Sequence, residues 1–426
     1  MSAGAYPRWK TLTVWVARLL AGAAFIVSGW AKLVDPSGFV FKIEEYLNVW
    51  GLSETFPREI VLVGAVGLSL FELITGVMLA TGSLRRSAPC CGLLMMLFML
   101  PLTAWIALAD PVSECGCFGD LWVVSNTVTF LKNVMITALL VILLMWHGAA
   151  APLYRPELQW MVLALTGIYG LVIAVLGWQI QPLLDFRPYG VGKELLPEQE
   201  DADVSFIYER DGERREFALE SLPDDSWEFV GRKGGESAAD NSLTIFDAEG
   251  DDVSEDVLAE PDSVLLIVVP EPGVNNLLRS RFANEMARDA RDRGISVAGL
   301  VAASGDALQE WIDLALPDYD VYSASDTSLK QLVRGPIGLV YARDGKVVWK
   351  TNFASLDPDY LKESDNPFGG MYPISDGRVM RWLTLVYFAG LCLWLAISAL
   401  TKINFRRKPR KTEESGSSGN IMSEKS

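Results

Sequence analysis

Six long apolar runs restrict the fold of this chain more than any other feature of its sequence. A helix needs about 20 mainly apolar residues to cross the hydrocarbon core of a bilayer. Six runs have this length: residues 12–33, 59–81, 88–109, 126–147, 160–180 and 380–401. Because lipid offers no hydrogen-bonding partner to an exposed backbone, segments this apolar cross the membrane as helices. The sequence therefore predicts an α-helical membrane protein with six spans.

Basic residues lie at alternate ends of these spans and predict their orientation. Loops in the cytoplasm carry an excess of Lys and Arg. Such residues precede span 1, join spans 2 and 3, join spans 4 and 5, and follow span 6: Arg8, Lys10, Arg85, Arg86, Arg155, Lys402, Arg406, Arg407, Lys408, Arg410 and Lys411. We therefore expect a protein of a bacterial cytoplasmic (inner) membrane with both termini in the cytoplasm. Residues 34–58, the loop around residue 115 and residues 181–379 would then lie in the periplasm.

Composition and charge argue against several classes of function. The net charge is −16, and acidic residues far outnumber basic ones over residues 186–262. An acidic surface repels nucleic acid, so we expect no nucleic-acid partner, and the apolar spans make membrane lipid the first expected partner. Five cysteines are too few for a disulfide scaffold. The single histidine, His147, argues against a zinc hydrolase or a Ser-His-Asp site.

The predicted periplasmic region divides into two parts. The first alternates in short strand-like runs, and Asp211–Gly212 is typical of a hairpin turn. In the second, strands alternate with helices until a hairpin at Asp344–Gly345, which predicts a partly parallel sheet. The predicted segments are 1–150, a four-helix membrane domain; 151–185, a fifth span; 186–262, an acidic β-rich segment; 263–378, an α/β domain; 379–402, a sixth span; and 403–426, a disordered cytoplasmic tail.

The α/β domain resembles the thioredoxin fold. The resemblance rests on the order β-α-β-α-β-α, followed by Gly335–Pro336 and a terminal hairpin. It implies that Pro336 occupies the position of the family's cis-proline, beside the active site. However, the place of the family's Cys-x-x-Cys reads VVPEPGVNN, residues 268–276, and holds no cysteine. The resemblance therefore implies a domain without dithiol chemistry, in which Gly335 and Pro336 are candidates for binding a peptide or a partner.

Residues 10–150 resemble the DoxX/MauE superfamily of four-helix membrane proteins. The resemblance rests on ARLLAGAAFIVSGWAKLVDP from Ala17, FELITG from Phe71, CGCFGD from Cys115 and FLKN from Phe130. MauE is implicated in disulfide formation beside a thioredoxin-like partner, and DoxX relatives are linked to quinone-coupled sulfur oxidation. The resemblance therefore implies a redox role, with a quinone as cofactor and a periplasmic thiol protein or thioredoxin-like protein as partner. With FRPYGVG after span 5, the full arrangement resembles DoxX-like proteins from Bacteroidota, and this wider resemblance brings no activity with it.

Cys115 and Cys117, on either side of Gly116, are the candidate redox centre. In the periplasm disulfides form and persist. A disulfide across one residue closes a small ring, which the flexibility of Gly116 permits, and such a bond would be strained and oxidising. Three interpretations remain open: a thiol–disulfide relay that passes electrons to a quinone in the bundle, an inert structural pair, and a soft-metal site. Two thiolates alone leave a metal under-coordinated, so we assign no metal ligand.

Four of the charged residues within the predicted spans are candidates for a functional or paired role. Lys32 and Lys132 are at the predicted periplasmic ends of spans 1 and 4, where either could lower the pKa of a thiol or meet a quinone carbonyl. Snorkelling to the head groups is the alternative. Arg18 in span 1 and Glu72 in span 2 are predicted to form an ion pair, because charges inside a membrane are costly unless paired. A proton path for quinone chemistry is the alternative for these two residues.

Taken together, the predicted fold is an α-helical membrane bundle with an extracytoplasmic α/β thioredoxin-like domain. The bundle has a four-helix DoxX/MauE-like core plus two further spans. The predicted function is a membrane thiol–disulfide or quinone-linked redox protein whose catalytic residues are Cys115, Cys117, Lys132 and Lys32. The rival interpretation is a non-enzymatic scaffold or assembly factor, since the α/β domain lacks Cys-x-x-Cys. A quinone-sized cavity reaching two sulfurs within bonding distance would favour the enzyme.

Overall fold

The computed structural model describes most of the six spans and of the α/β domain. The described residues are 6–53, 55–109, 112, 115–122, 124–196, 205–210, 213–218, 228–233, 243–259, 262–273, 277–353 and 377–407. The part of the predicted tail beyond residue 407 lies outside this set, as do residues 354–376 of the predicted α/β domain.

The described helices and strands follow one another in a simple order, with the membrane helices first and last. In chain order they are α1 (Arg8–Val34), α2 (Pro36–Val49), α3 (Arg58–Thr81), α4 (Ser87–Ala109), α5 (Asn126–Met145), α6 (Pro156–Gln179), β1 (Ser205–Arg210), β2 (Glu213–Ala218), β3 (Glu228–Lys233), β4 (Ile245–Phe246), α7 (Ser254–Leu258), β5 (Ser263–Val269), α8 (Leu277–Asp292), β6 (Ser296–Val301), α9 (Gly305–Ala315), β7 (Asp320–Ala324), α10 (Asp326–Leu332), β8 (Gly338–Arg343), β9 (Lys346–Asn352) and α11 (Arg378–Arg407).

Six helices of the described chain are long and apolar enough to cross a membrane. They are α1, α3, α4, α5, α6 and the part of α11 from Arg378 to Thr401. Their bounds agree with the predicted spans to within a few residues, because the apolar runs themselves determine which segments can lie in lipid. The chain is therefore a multi-pass membrane protein.

Glycines bring α1 and α3 into close antiparallel contact at the centre of the bundle. A Cβ atom at Gly22 would lie 2.8 Å from the Cβ of Ala80, and one at Gly29 would lie 2.6 Å from the backbone nitrogen of Leu73. Small residues allow such approach, and close packing is a main source of association energy between helices in lipid. Around this pair, α4 contacts α5, and α6 contacts α3 and α11.

The short helix α2 packs on α1, α3 and α6 beside the cysteine loop. The Asp35 side chain caps its start by accepting a hydrogen bond from the backbone N–H of Gly38 at 2.9 Å, and Pro36 occupies the first turn. Both features are favoured at helix starts. On one side of the helix, Val40 packs in a cluster with Val61 of α3.

The α/β domain contains a six-stranded mixed sheet in the order β4-β7-β6-β5-β8-β9. Strands β5, β6 and β7 run parallel, whereas β8 and β9 are antiparallel. Buried side chains from α8 and α9 form one apolar cluster, and those from α7 and α10 form another. A partly parallel sheet was predicted and is confirmed. A separate sheet has the order β2-β1-β3, with Arg210 opposite Glu213 as the predicted hairpin requires.

The Gly335–Pro336 peptide differs from the expectation that the thioredoxin resemblance raised. No peptide bond among the described residues is cis. The Gly335–Pro336 bond is therefore trans, whereas the thioredoxin family's proline at this position is cis. Gly335 has φ +101, a conformation open to glycine, and makes the turn before β8 with a trans bond.

The α/β domain contacts the same end of the bundle as α2. The guanidinium of Arg334, which follows α10, donates to the carboxylate of Asp35 at 2.6 Å. The Asn352 side chain at the end of β9 donates to the carbonyl oxygen of Gln179 at 2.8 Å. The cysteine loop lies at this end as well. The grouping agrees with the predicted common side, and its assignment to the periplasm stays a prediction.

Candidate functional site

The two cysteines lie in the loop between α4 and α5, with their sulfurs in contact. The Sγ atoms of Cys115 and Cys117 are 2.9 Å apart. Gly116 has φ +69, a left-handed conformation that favours glycine and lets the chain turn between the two cysteines. The cysteines are only 8% and 9% exposed. The sulfurs are thus within reach of disulfide formation but are covered by the rest of the protein.

Three residues from α1 and α2 hold this loop in place. Tyr46 donates a hydrogen bond to the carbonyl oxygen of Cys115 at 3.0 Å, and Ser28 donates to that of Cys117 at 2.6 Å. Lys42 lies over the intervening glycine, where a Cβ atom would come within 2.5 Å of the lysine Cγ. Sequence reasoning missed these contacts. The only signal was Ser28, which opens the Ser-Gly-x-x-Lys motif.

Two lysines lie near the cysteine pair, and each has a specific partner. Lys32 donates to the carboxylate of Glu72 at 2.7 Å, and the two side chains are 1% and 9% exposed. Lys132 lies over the ring of Phe118, with its Nζ atom 4.2 Å from the ring centroid. Such a contact stabilises a cation that is partly removed from water. Neither lysine is therefore explained by snorkelling alone.

One small cavity connects these groups. Cys117, Lys32, Glu72, Lys132 and Asn133 all line it, and its volume is about 20 Å³. That volume suits a water molecule and excludes a quinone ring. The structure therefore places Cys117 with both predicted lysines, and adds Glu72, but it shows no quinone-sized cavity at this site.

The surroundings give the two thiols different pKa values. The hydrogen bond from Cys115 and the charges of Lys132 and Lys32 outweigh the effect of burial and together lower the pKa of Cys117 to about 6. The same hydrogen bond and burial raise the pKa of Cys115. These shifts favour Cys117 as the thiolate and Cys115 as the thiol that donates to it.

Iodoacetamide should alkylate Cys117 of the reduced protein at a rate that rises as the pH increases through about 6. A pKa of about 6 gives about 90% thiolate at pH 7, against about 3% at the ordinary pKa of about 8.5. The measurement is the mass of the loop peptide after timed alkylation between pH 5 and 9. Lys132→Met should move the midpoint upward, and a wild-type midpoint above pH 8 would contradict this assignment.

Arg18 and Glu72 do not form the predicted ion pair. Glu72 binds Lys32, whereas Arg18 donates to the carbonyl oxygens of residues 150 and 151, each at 3.0 Å. A helix rises 1.5 Å per residue, so Arg18 and Lys32 are about 21 Å apart along α1. Because α3 runs antiparallel to α1, Glu72 lies beside the Lys32 end, and Arg18 lies beside Gly82.

The predicted partner-binding residues, Gly335 and Pro336, line a different feature of the structure. They form part of a groove of about 970 Å³ between the α/β domain and the bundle. Residues 271–273 at the end of β5 form another part, together with α2, the start of α3 and the end of α6. None of the described residues that line the groove belongs to the cysteine loop.

A buried network of charged residues, which sequence analysis did not predict, joins the α/β domain to the segment after α6. Lys350 pairs with Asp185 at 2.5 Å, and Asp185 pairs with Arg187 at 2.7 Å. Gln181 accepts from Arg187 at 3.1 Å and donates to the carbonyl oxygen of Arg334 at 2.9 Å. Burial and the nearby Arg187 lower the pKa of Lys350 to about 7. The FRPYGVG segment therefore has a structural role, in which it connects the end of α6 to the α/β domain.

Metal ligands are sparse at the cysteine pair. Within the described ranges, no group of three or more His, Cys, Asp or Glu residues is placed to hold a metal ion. The pair supplies two thiols, and structural zinc sites take four ligands. The geometry therefore gives no support to the soft-metal interpretation.

Comparison with known families adds an independent observation to this geometry. Residues 10–147 match the family model of the methylamine utilisation protein MauE. This MauE domain contains α1 to α5, both cysteines of the loop and both lysines of the cavity. Residues 202–234 match a second family, a domain of unknown function (DUF8463). Neither the curated proteins nor the solved structures gave a match to the chain.

Proposed function

We propose that the MauE domain catalyses thiol–disulfide exchange through Cys115 and Cys117. The observation that carries the proposal is the contact of the two sulfurs at 2.9 Å beside the charges of Lys32 and Lys132. A low-pKa thiolate next to a second thiol is the arrangement that such exchange uses. The family match supports it, because MauE suggests a membrane protein in a process related to redox chemistry or methylamine utilisation.

The exchange begins with the oxidised pair and a client protein that carries two thiols. A client thiolate, its proton released to water, attacks the Sγ of Cys115 and breaks the Cys115–Cys117 bond. Cys117 leaves as a thiolate stabilised by Lys32 and Lys132. The second client thiol then attacks the client sulfur of the mixed disulfide, and its proton passes to the departing Cys115. Two electrons have moved from the client, now a disulfide, to the cysteine pair.

A quinone does not fit beside the pair, and the proposed exchange uses a protein thiol alone. The cavity is about 20 Å³, and Lys32 is bound to Glu72 rather than directed at a carbonyl group. The lysines are therefore assigned an electrostatic role toward Cys117. Tyr46 of α2 is part of the cover over the two sulfurs. A client therefore reaches the sulfurs when α2 moves away from the loop.

The α/β domain is proposed to be thioredoxin-like and non-catalytic. Its alternating strands and helices support this assignment, as does the lack of cysteine in the 268–276 segment. It lies at the same end of the bundle as the cysteine loop, held by Asp35 and Arg334. We place this end in the periplasm, where a client thiol protein would meet both parts.

The redox state of the pair in native membranes tests this function. Acid-quenched cells are labelled with a maleimide, reduced and labelled again, and the mass of the loop peptide reports the disulfide. We expect a mixed population in the wild type. Cys117→Ser cannot form the internal disulfide, so Cys115 should be recovered as a free thiol and the client thiols should stay reduced. The matched control Cys392→Ser should behave as the wild type. A pair that is always reduced would reject exchange.

A second candidate function is a non-enzymatic membrane scaffold. The observation that favours it is the cover over the pair, in which Tyr46 and Ser28 hold the loop and leave each cysteine less than a tenth exposed. In a scaffold the thiols would stabilise the loop by packing. This function predicts permanently reduced cysteines and no phenotype for Cys117→Ser in the same labelling experiment.

A further inference from the structure

We propose that the groove between the bundle and the α/β domain binds the head group of a phospholipid that carries both a phosphate and a primary ammonium, as phosphatidylethanolamine does. The groove has a volume of about 970 Å³. It is separate from the cysteine loop, so the proposal goes beyond thiol exchange and stands whether or not that exchange occurs.

The groove lies at the ends of two candidate membrane spans, the level at which we expect lipid head groups. Its walls include Arg58 at the start of α3 and Trp178 at the end of α6, which are the ends of two membrane spans. Trp178 is 50% exposed, and tryptophan is enriched at the level of the head groups. A folded partner would approach from water, whereas this groove is bounded by the ends of membrane helices. Its position therefore favours a lipid.

The charges lining the groove are of both signs. Arg58 and Glu271 bind each other, with two oxygens of the carboxylate 2.5 Å from one guanidinium nitrogen. Arg279 and Glu59 are exposed, and neither lies within ion-pair distance of a residue that the structure describes, although Glu59 acts electrostatically on Arg58. One cation and one anion thus remain for a ligand. A head group with one phosphate and one ammonium complements them.

Each remaining charge suits one end of that head group. Guanidinium groups bind phosphate oxygens through paired N–H donors, which assigns the phosphate to Arg279. The carboxylate of Glu59 would accept hydrogen bonds from the ammonium, which donates three. A purely anionic head group would meet the Glu59 carboxylate with repulsion. Leu62 and Ile337 line the same groove and would contact the glycerol backbone.

Photolabelling of the full-length protein in nanodiscs tests the proposal. The probe is phosphatidylethanolamine with a diazirine near the start of one acyl chain, and cross-linked peptides are identified by mass spectrometry. We expect labelling near Trp178 and Leu62. Unlabelled phosphatidylethanolamine should compete at least tenfold better than phosphatidylglycerol, because a charge-assisted hydrogen bond contributes about 1.5–3 kcal/mol.

Two variants separate the roles of the charges. Arg279→Gln should reduce labelling about tenfold, since one charge-assisted contact is lost. Glu59→Gln should remove the preference over phosphatidylglycerol while labelling continues. Arg288→Gln is the matched control, because Arg288 lies on the same helix and pairs with Asp318 outside the groove. Labelling that Arg279→Gln leaves unchanged, equal competition by phosphatidylglycerol, or cross-links confined to span residues that do not line the groove would each overturn the proposal.

Discussion

Replacing Lys32 with Met should lower the free energy of unfolding by about 3–5 kcal/mol. The change leaves the Glu72 carboxylate without the ammonium that lies 2.7 Å away. Both side chains are almost completely buried inside the helical bundle. A carboxylate in this site would have lost its direct counter-charge, and unpaired charges are costly within a membrane. Reversible unfolding of the detergent-solubilised protein by SDS measures the change.

The double variant Lys32→Met/Glu72→Gln should recover most of this loss. Replacing a buried ion pair by neutral groups is often nearly neutral in stability, whereas breaking it strands one charge. The four proteins of this double-mutant cycle therefore give the coupling between the two side chains. Lys346→Gln is the control, since it breaks an exposed pair with Glu194 at 3.3 Å and should cost less than about 1 kcal/mol. A double variant as unstable as the single one would refute the pairing argument.

Asp35→Asn should also destabilise the protein by about 3–5 kcal/mol, through the contact between the α/β domain and the bundle. Asparagine can still accept the hydrogen bond from the Gly38 N–H, so the cap of α2 is kept. The change removes the negative charge that lies 2.6 Å from the buried guanidinium of Arg334 in the wild type. The double variant Asp35→Asn/Arg334→Met should recover much of the loss.

The pH dependence of this contact gives a second readout. Burial raises the pKa of Asp35, but Arg334, Arg187 and the hydrogen bonds from Arg334 and Gly38 together outweigh this effect and hold that pKa below its usual range. The stabilisation is therefore complete above about pH 4, the unfolded pKa, and is lost as the pH falls through the lower folded pKa. Asp35→Asn should remove this acid-dependent part of the unfolding free energy. Arg288→Gln, in an exposed pair, should keep it.

The membrane spans were predictable because hydrophobicity is local information. A run of about 20 apolar residues crosses lipid whatever its neighbours do, so six spans could be assigned without knowing the packing. The alternation of strands and helices after residue 263 was local as well. The trans Gly335–Pro336 bond was not predictable from local sequence, because the conformation of Gly335, which follows α10, decides that turn.

The candidate site was predictable only in part. Cys115, Cys117 and the two lysines were found from their residue types and their predicted level in the membrane. Their hydrogen-bonding partners were not predictable, because Ser28 is 89 residues away from Cys117 and Tyr46 is 69 residues away from Cys115. The predicted Arg18–Glu72 ion pair was wrong for the same reason. The sequence shows that a buried charge is present, but the register of the helices determines which residue pairs with it.

The sequence by itself determined that this protein has six segments able to cross a membrane as helices, carries an α/β domain without Cys-x-x-Cys, and places two cysteines around Gly116 next to one of these segments. Only the tertiary structure separated the pKa values of the two thiols, paired Lys32 with Glu72, and formed a groove between the α/β domain and the bundle. The physical reason is the distance along the chain over which each effect acts. Apolar runs and turn residues act through their own segment, whereas pKa shifts and ion pairs depend on distances of a few ångströms between segments far apart in the chain.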